Sequence, residues 1–180
     1  MTLLADVLAE LVAYSPADPG QQQLRADYLA LLAANPDGIW REGPPAHLTA
    51  SCFVLDRDRT SALLTLHRKG GFWVQFGGHL EPGDATLAGA AWREATEESG
   101  LTDLELLVDP VGLHRHRLAA AFGRCREHLD VAYLALADRD AMPTVSAESK
   151  DVAWWPLDDL PAGAVPDLAP RLARLRAVVG

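Results

Sequence analysis

The sequence predicts an α/β fold with helices on both sides of a mixed β-sheet. Apolar residues recur at helical spacing near both ends of the chain and in one internal segment. The segments between them carry the apolar or alternating runs that are typical of strands, and glycine and proline separate these runs. Two helices, a set of strands, one helix, further strands and a final helix are compatible with an α/β/α sandwich.

The first 44 residues predict a helical hairpin that precedes the sandwich. Apolar stripes run through residues 3–14 and 21–34, and the prolines and glycine of Ser15–Gly20 interrupt the pattern between them. The hairpin is expected to cover one end of the sheet, with a dimerisation surface as the alternative. The sequence therefore divides into an N-terminal helical extension, residues 1–44, and a main domain, residues 45–180. A homodimer is left open.

The main domain predicts six strands before its last helix. Their predicted ranges are 47–55, 61–67, 72–76, about 104–118, 128–137 and 152–157. A polar hairpin turn, Asp56–Arg59, joins the first two, and loops are expected at 119–126 and 142–150. Pro110 is expected to break the fourth strand because proline has no amide hydrogen for the sheet. Residues 168–179 have the apolar spacing of an amphipathic helix.

Composition limits the classes of function. A chain of 180 residues, 49% hydrophobic and 23% charged, suits one globular domain with a sizeable core. A net charge of -9 argues against an extended nucleic-acid surface, because phosphate-backbone binding needs clustered basic residues. No apolar run has membrane-spanning length, and the start of the chain lacks the pattern of a secretion signal. We expect a cytoplasmic location and no membrane partner.

The two cysteines form no recognisable pattern. Cys52 and Cys125 are far apart in the sequence and make no CxxC pair. They are interpreted as buried or incidental thiols, and neither a disulfide framework nor a zinc site is indicated.

The most informative stretch is the internal helix and its entrance, residues 77–101. It opens with a glycine pair and continues through Pro82–Gly83. Asp84 or Thr86 is expected to cap the helix, because a short side-chain oxygen accepts from the free amides of the first turn. Gly100 is expected to end it, since glycine accepts the left-handed conformation that follows many helices.

Three carboxylates follow one another on one face of this helix. Glu94, Glu97 and Glu98 are spaced i, i+3 and i+4, so their side chains are neighbours and repel one another. They also lie near the negative end of the helix dipole, where cations are favoured. Mg²⁺ or Mn²⁺ would remove both penalties, since these ions prefer oxygen ligands. A solvated acidic face is an equally good interpretation of the glutamates alone.

The surrounding residues resemble the Nudix box. Gly78, five residues, Asp84 and then Arg93–Leu101 (REATEESGL) follow its pattern. The second half agrees at every specified position. In the first half, Asp84 replaces the usual Glu, and eight rather than seven residues separate it from Arg93. The extra residue falls at the helix entrance, so the departure affects the role of Asp84 and leaves the three glutamates in place.

This resemblance implies a metal-dependent pyrophosphohydrolase. Such an enzyme cleaves a phosphoanhydride bond in a nucleoside diphosphate linked to another group by attack of metal-activated water. Mg²⁺ or Mn²⁺ would be bound by Glu94, Glu97, Glu98 and the backbone carbonyl of Gly78. By the same resemblance, the box arginine orients the glutamates and one box glutamate can act as general base. An acid outside the box is a further candidate base. The sites so assigned are Arg93, Glu94, Glu97, Glu98, Glu148 and Gly78.

Residues that contact the substrate are predicted less specifically. Basic, imidazole and aromatic side chains near the glycine pair and on neighbouring strands suggest phosphate and base contacts, and the candidates are Arg68, Lys69, Phe76, His79 and Arg115. Core or surface positions are the alternative for each. The expected partner is a small nucleotide, and the substrate itself is not predicted. The alternative function is a Nudix-fold binding or regulatory module that senses a nucleotide without turnover.

Overall fold

The computed structural model of the protein describes residues 1–16, 18–118 and 124–179, with side chains to residue 176. Its helices are α1 (Leu3–Ala13), α2 (Pro19–Ala34), α3 (Leu87–Ser99) and α4 (Leu168–Val179), with a 3-10 helix at Pro36–Ile39. Its strands are β1 (Ala46–Asp56), β2 (Ser61–His67), β3 (Trp73–Val74), β4 (Phe76–His79), β5 (Glu105–Arg117), β6 (Glu127–Ala137) and β7 (Ser149–Pro156). The predicted α/β class, with a mixed sheet and an N-terminal helical pair, is confirmed.

The strands are hydrogen-bonded in the order β3-β2-β1-β6-β5, with β4 pairing to β1 and β7 pairing to β2. Strand β1 is buried along nearly its whole length. Its apolar run, Cys52–Leu55, is therefore buried together with the polar side chains of His47, Thr49 and Ser51. The hairpin between β1 and β2 is antiparallel, with Val54 opposite Leu63, and Asp56 begins the predicted polar turn.

Two local predictions differ from the structure. Residues 72–76 do not form one strand, because Gln75 separates β3 from β4 and the glycine pair belongs to β4. A Cβ on Gly77 would come within 2.8 Å of the Ala50 carbonyl and the Ser51 Cα, so the lack of a side chain permits this pairing with β1. Strand β5 also continues through Pro110, since an edge strand tolerates a residue without an amide hydrogen.

The described residues cluster into two compact units. The first unit comprises residues 1–51, 77–91 and 108–133, and the second comprises residues 52–76, 92–107 and 134–180. Neither unit ends at residue 44, so the division into residues 1–44 and 45–180 stays a prediction. Five residues of the predicted loop 119–126 lie outside the described part of the chain. None of the helices in that described part combines the length and apolar character of a membrane span.

In the first unit, polar side chains connect the N-terminal helices to strands. Gln21 of α2 is buried, accepts from the amide of Leu113 at 2.7 Å and donates to its carbonyl at 2.8 Å. Asp130 of β6 is also buried, and its carboxylate accepts from the hydroxyls of Thr49 at 3.1 Å and Ser51 at 2.6 Å. Through these hydrogen bonds Asp130 connects β6 to β1.

In the second unit, the antiparallel pair of β2 and β7 supplies the framework. Seven residue pairs align between the strands, from Ser61 opposite Pro156 to His67 opposite Ser149. Helix α4 contributes the buried side chains of Leu168, Leu172 and Leu175, as its predicted amphipathic pattern requires.

Candidate active site

Helix α3 has the ends that its sequence predicts. Thr86 caps its start, since the Thr86 hydroxyl accepts from the Gly89 amide at 2.9 Å. Asp6 of α1 accepts from the amide of Leu87 at 2.7 Å. Asp84 instead accepts from the Glu81 amide at 2.7 Å, within the turn before the helix. Of the two proposed caps, Thr86 is confirmed, and Asp84 holds the turn.

The C-terminal half of α3 carries the acidic face. Arg93 donates through one nitrogen to Glu94 at 2.9 Å and to Glu97 at 3.2 Å. Glu97 is exposed, Glu94 is partly buried and Glu98 is buried. Ala95 between them is fully buried, which fixes the face that the helix turns inward. Arg93 therefore holds two carboxylates of one face beside a third that is withdrawn from water.

Glu94 shows how crowded with acids this face is. Burial raises the pKa of Glu94 to about 7, against the opposing effect of Arg93, and the charges of Glu97 and Glu148 raise it further. The charges of these neighbouring carboxylates thus disfavour ionisation of Glu94. A divalent cation would favour the ionised carboxylates instead. This set of oxygen donors therefore fits Mg²⁺ or Mn²⁺, and it supports metal binding over a merely solvated acidic face.

Glu148 lies on the loop before β7, and Arg68 holds that loop. The Arg68 guanidinium donates to the carbonyl of Ala147 at 2.8 Å and to that of Ser149 at 2.6 Å. The Arg68 amide also donates to the carbonyl of Glu148 at 2.9 Å. Glu148 itself is exposed. The structure thus brings the acid predicted outside the box into electrostatic range of Glu94, and gives Arg68 backbone partners where sequence analysis expected phosphate.

The remaining predicted residues lie in varied surroundings. Lys69 is exposed at the turn after β2. Phe76 is fully buried, which favours a core role for its ring over base stacking. Arg115 donates to Glu127 at 2.7 Å and lies 3.6 Å from Asp27, so its charge is balanced within the first unit. Gly78 lies in β4 of the first unit, and its metal-binding carbonyl stays a prediction.

His79 lies in a group of metal-ligand side chains that sequence analysis missed. His47, His79, Cys125 and His128 each offer a ligand atom, and all four atoms lie within 4.8 Å of one another. His47 and Cys125 are buried, and the other two are partly buried. The spacing Cys125-x-x-His128 is the local signal for this group. The partners at positions 47 and 79 come from other strands, which spacing alone cannot reveal.

Comparison with known proteins agrees with this geometry. The NUDIX domain family model matches residues 45–175. This chain belongs to the Nudix family. Its enzyme class is that of the Nudix-type pyrophosphohydrolases, which act on acid anhydrides. Comparison with curated proteins gives no match.

Solved structures show the same fold. A Nudix-family hydrolase from Clostridium perfringens has a TM-score of 0.59 and 22% identity, over 73% of this chain and 97% of that one. An Ap4A hydrolase from C. elegans has a TM-score of 0.59 and 20% identity, over 73% and 96%. The NUDIX domain of Shewanella oneidensis NrtR, complexed with ADP ribose, has a TM-score of 0.55 and 20% identity, over 74% and 88%. The predicted Nudix-like fold is confirmed.

Proposed function

We propose that this Nudix enzyme hydrolyses a phosphoanhydride bond in a nucleoside diphosphate linked to another group, using Mg²⁺ or Mn²⁺. The observation that carries the proposal is the acidic face of α3, where Arg93 holds Glu94 and Glu97 beside the buried Glu98. The net charge of -9 makes a small anionic substrate dependent on such neutralisation. The partner we expect is a free nucleotide and no extended nucleic acid.

The residues of α3 have separate roles in this proposal. Glu94, Glu97 and Glu98 supply oxygen ligands, with the Gly78 carbonyl as a further ligand. The bound ion would neutralise phosphate charge and lower the pKa of a water molecule. Arg93 keeps the carboxylates oriented, because its fork binds carboxylate oxygens directionally. Glu148 accepts a proton from the attacking water at its carboxylate.

The substrate side is proposed from chemistry close to the box. Lys69 is exposed and cationic at the turn after β2, which makes it a candidate for contact with a phosphate. His79, Arg68, Phe76 and Arg115 stay in the proposal as candidates whose present contacts would have to change or be shared. Ap4A and ADP ribose, named with two of the similar structures, are suitable first compounds because each contains a phosphoanhydride linked to a nucleoside.

The test is hydrolysis of a nucleotide panel by the full chain with Mg²⁺ or Mn²⁺, following phosphate and nucleoside monophosphate. We expect turnover that stops with EDTA and returns with the ion. Glu97→Gln and Glu98→Gln should each lower kcat/KM at least about 100-fold, or roughly 2.7 kcal/mol. Glu105→Gln is the control, because Glu105 is exposed and pairs with Arg57. Undiminished hydrolysis by both box variants would reject the proposal.

The same panel tests the alternative function. A nucleotide-sensing module without turnover would gain thermal stability from ADP ribose or another nucleotide but would release no product. Asp84 and the extra residue before Arg93 are the features that motivate this alternative. Stabilisation without product under both metals would favour it over the hydrolase.

A further inference from the structure

A second cluster of ligating side chains lies apart from the acidic helix in sequence and chemistry. It contains three imidazoles and one thiol, from His47, His79, His128 and Cys125. His47 is the second residue of β1, His79 is the last of β4, and His128 is the second of β6, with Cys125 just before that strand. All four residues belong to the first unit. The box glutamates are not among these residues, whereas His79 is also a substrate-side candidate of the proposed hydrolytic site and lies next to Gly78.

The hydrogen bonds of His47 prepare its ring for a metal. Nδ1 of His47 lies 2.9 Å from the carbonyl of Pro44. A carbonyl can only accept, so this nitrogen carries the hydrogen and the Nε2 of the neutral ring presents a lone pair. Metal-binding histidines commonly donate their other ring nitrogen to a backbone carbonyl in this way. His47 therefore has the outer contact of a ligand.

The imidazoles of His79 and His128 lie close to the His47 ring. Nε2 of His79 lies 3.2 Å from Nε2 of His47. This separation is close to the edge of a zinc tetrahedron, about 3.3 Å for Zn–N bonds of about 2.0–2.1 Å. The His128 ring lies 5.0 Å from that of His79 and 5.2 Å from that of His47, between centroids. The ring nitrogens of the three histidines thus lie within one small volume.

His128 supplies an independent sign that a ligand is needed. Its Nε2 is buried and has no hydrogen-bond partner among the described residues. Burying a polar atom without a hydrogen-bond partner is unfavourable. A bound metal ion would supply the missing partner of this nitrogen.

We propose that His47, His79, Cys125 and His128 bind one Zn²⁺ ion in a structural site. Nitrogen and sulfur donors select zinc over Mg²⁺ or Mn²⁺, which prefer oxygen. Four protein ligands fill a tetrahedral shell and leave no position for a substrate. The most widely separated ligand atoms of the cluster would have to approach one another by about 1 Å to reach the ligand–ligand distance around a tetrahedral zinc ion.

This ion would fasten three strands, β1, β4 and β6, at the residue that follows the first glycine of the box. His79 follows Gly78 immediately, so the zinc site would fix the glycine pair of β4 against β1 and β6. Zinc binding would also restrict the chain from Cys125 to His128, because one ion would hold both side chains. The predicted consequence is a large gain in stability on zinc loading.

The first experiment uses the tag-free full chain, stripped of metal and titrated with Co²⁺ in excess Mg²⁺. We expect one Co²⁺ per chain, tetrahedral visible bands and a thiolate-to-cobalt charge-transfer band. Cys125→Ser should remove the charge-transfer band, and His128→Gln should weaken binding at least about 100-fold. Cys52→Ser and His67→Gln are matched controls outside the cluster. A double Glu97→Gln, Glu98→Gln variant should keep the bands.

X-ray absorption of the zinc-loaded wild-type chain tests the site without any substitution. We expect one sulfur at about 2.3 Å and nitrogens at about 2.0–2.1 Å. A shell of oxygens alone, or failure of the stripped wild-type chain to take up one Zn²⁺, would overturn the proposal. Loss of the cobalt spectrum in the double glutamate variant would do the same, since it would assign the ion to α3.

Discussion

Arg68 is the residue whose structural surroundings most change its predicted role. The sequence places it beside the glycine turn after β2, where a guanidinium suggests phosphate binding. In the structure its donors go to the carbonyls on either side of Glu148. Arg68 therefore acts on the candidate base by holding its loop, and a contact with substrate would have to compete with these hydrogen bonds.

Replacing Arg68 separates these two roles. We expect Arg68→Ala to lower kcat about tenfold or more with little change in KM, because the loop of Glu148 loses two charge-assisted hydrogen bonds. In a Glu148→Gln background the further loss should be small, since both changes act through one group. Lys69→Ala is the comparison, since loss of this phosphate-contact candidate should raise KM and leave kcat little changed. Steady-state kinetics giving a raised KM at unchanged kcat would instead support direct substrate binding.

Asp56 provides a prediction about pH. Burial tends to raise the pKa of Asp56, but hydrogen bonds from Ser61 and Thr60 lower it below its ordinary value. Its carboxylate accepts from the amides of Thr60 at 2.7 Å and Ser61 at 3.0 Å. The ionised group thus stabilises the β1–β2 turn at every pH above its unfolded-state pKa, and the stabilisation disappears as pH falls through the lower folded-state pKa.

We expect Asp56→Asn to lower the free energy of unfolding by about 1–3 kcal/mol at pH 7. The difference from wild type should shrink as the pH falls below the unfolded-state pKa of about 4 and then through the lower folded-state pKa of Asp56. Urea unfolding of both proteins at several pH values measures this. Asp58→Asn, at an exposed position of the same turn, is the control. A difference that is constant with pH would contradict the assigned role.

Residues that act through local spacing were predictable, and residues that act through tertiary contact were not. Glu94, Glu97 and Glu98 share a helical face by arithmetic alone. The cluster around His47 depends on the pairing of strands that are distant in sequence, so no single window of the chain contains it. Glu148 is an intermediate case: its loop was located, but its proximity to Glu94 required the structure.

The same distinction applies to secondary-structure elements. The long helices and the buried strands have strong periodic patterns, and their predicted positions agree with α1, α2, α3, β1 and β2. Pro110 was expected to break its strand because proline has no amide hydrogen. The strand continues instead, because β5 lies at the edge of the sheet, where that hydrogen is not needed. The split between β3 and β4 likewise depends on which neighbours these short strands find in the sheet.

Gly100 governs how helix α3 ends. Its φ of 71° lies in the left-handed region, and its amide donates to the Thr96 carbonyl at 2.8 Å. A Cβ here would lie 3.0 Å from the Cβ of Thr144 and closer still to its hydroxyl. Both conformation and space therefore require glycine, directly after the helix that carries the box glutamates.

We expect Gly100→Ala to cost about 2–5 kcal/mol of stability, roughly 1–2 from the left-handed backbone and the rest from overpacking. Thermal unfolding gives the value. Thr144→Ala in the same chain should recover the packing part and leave the backbone part. Gly83→Ala is the control, because a Cβ there meets nothing within 4 Å. Equal effects at positions 83 and 100 would contradict this account of the helix end.

At the scale of the whole molecule, the N-terminal helices raise the question of whether residues 1–44 are an appendage or part of a folding unit. Compact clustering joins them with residues 77–91 and 108–133. Asp6 binds the first amide of α3, and Gln21 binds both backbone groups of Leu113. The N-terminal extension thus supplies hydrogen bonds to residues of the family domain. These bonds support the prediction that the helices cover one end of the sheet, over the alternative of a dimerisation surface.

Gln21→Ala tests this integration. The change removes two buried hydrogen bonds between α2 and β5, so we expect a loss of about 2 kcal/mol or more. Gln23→Ala is the matched control, since Gln23 lies on the exposed side of α2 and bonds Asp27 in its own helix. Denaturant unfolding and hydrogen exchange at Leu113 measure the effect. If the Gln21 variant loosened α2 without changing the stability or exchange of β5, the helices would be an appendage. Concerted loss in both elements would mean that α2 and β5 fold as one unit.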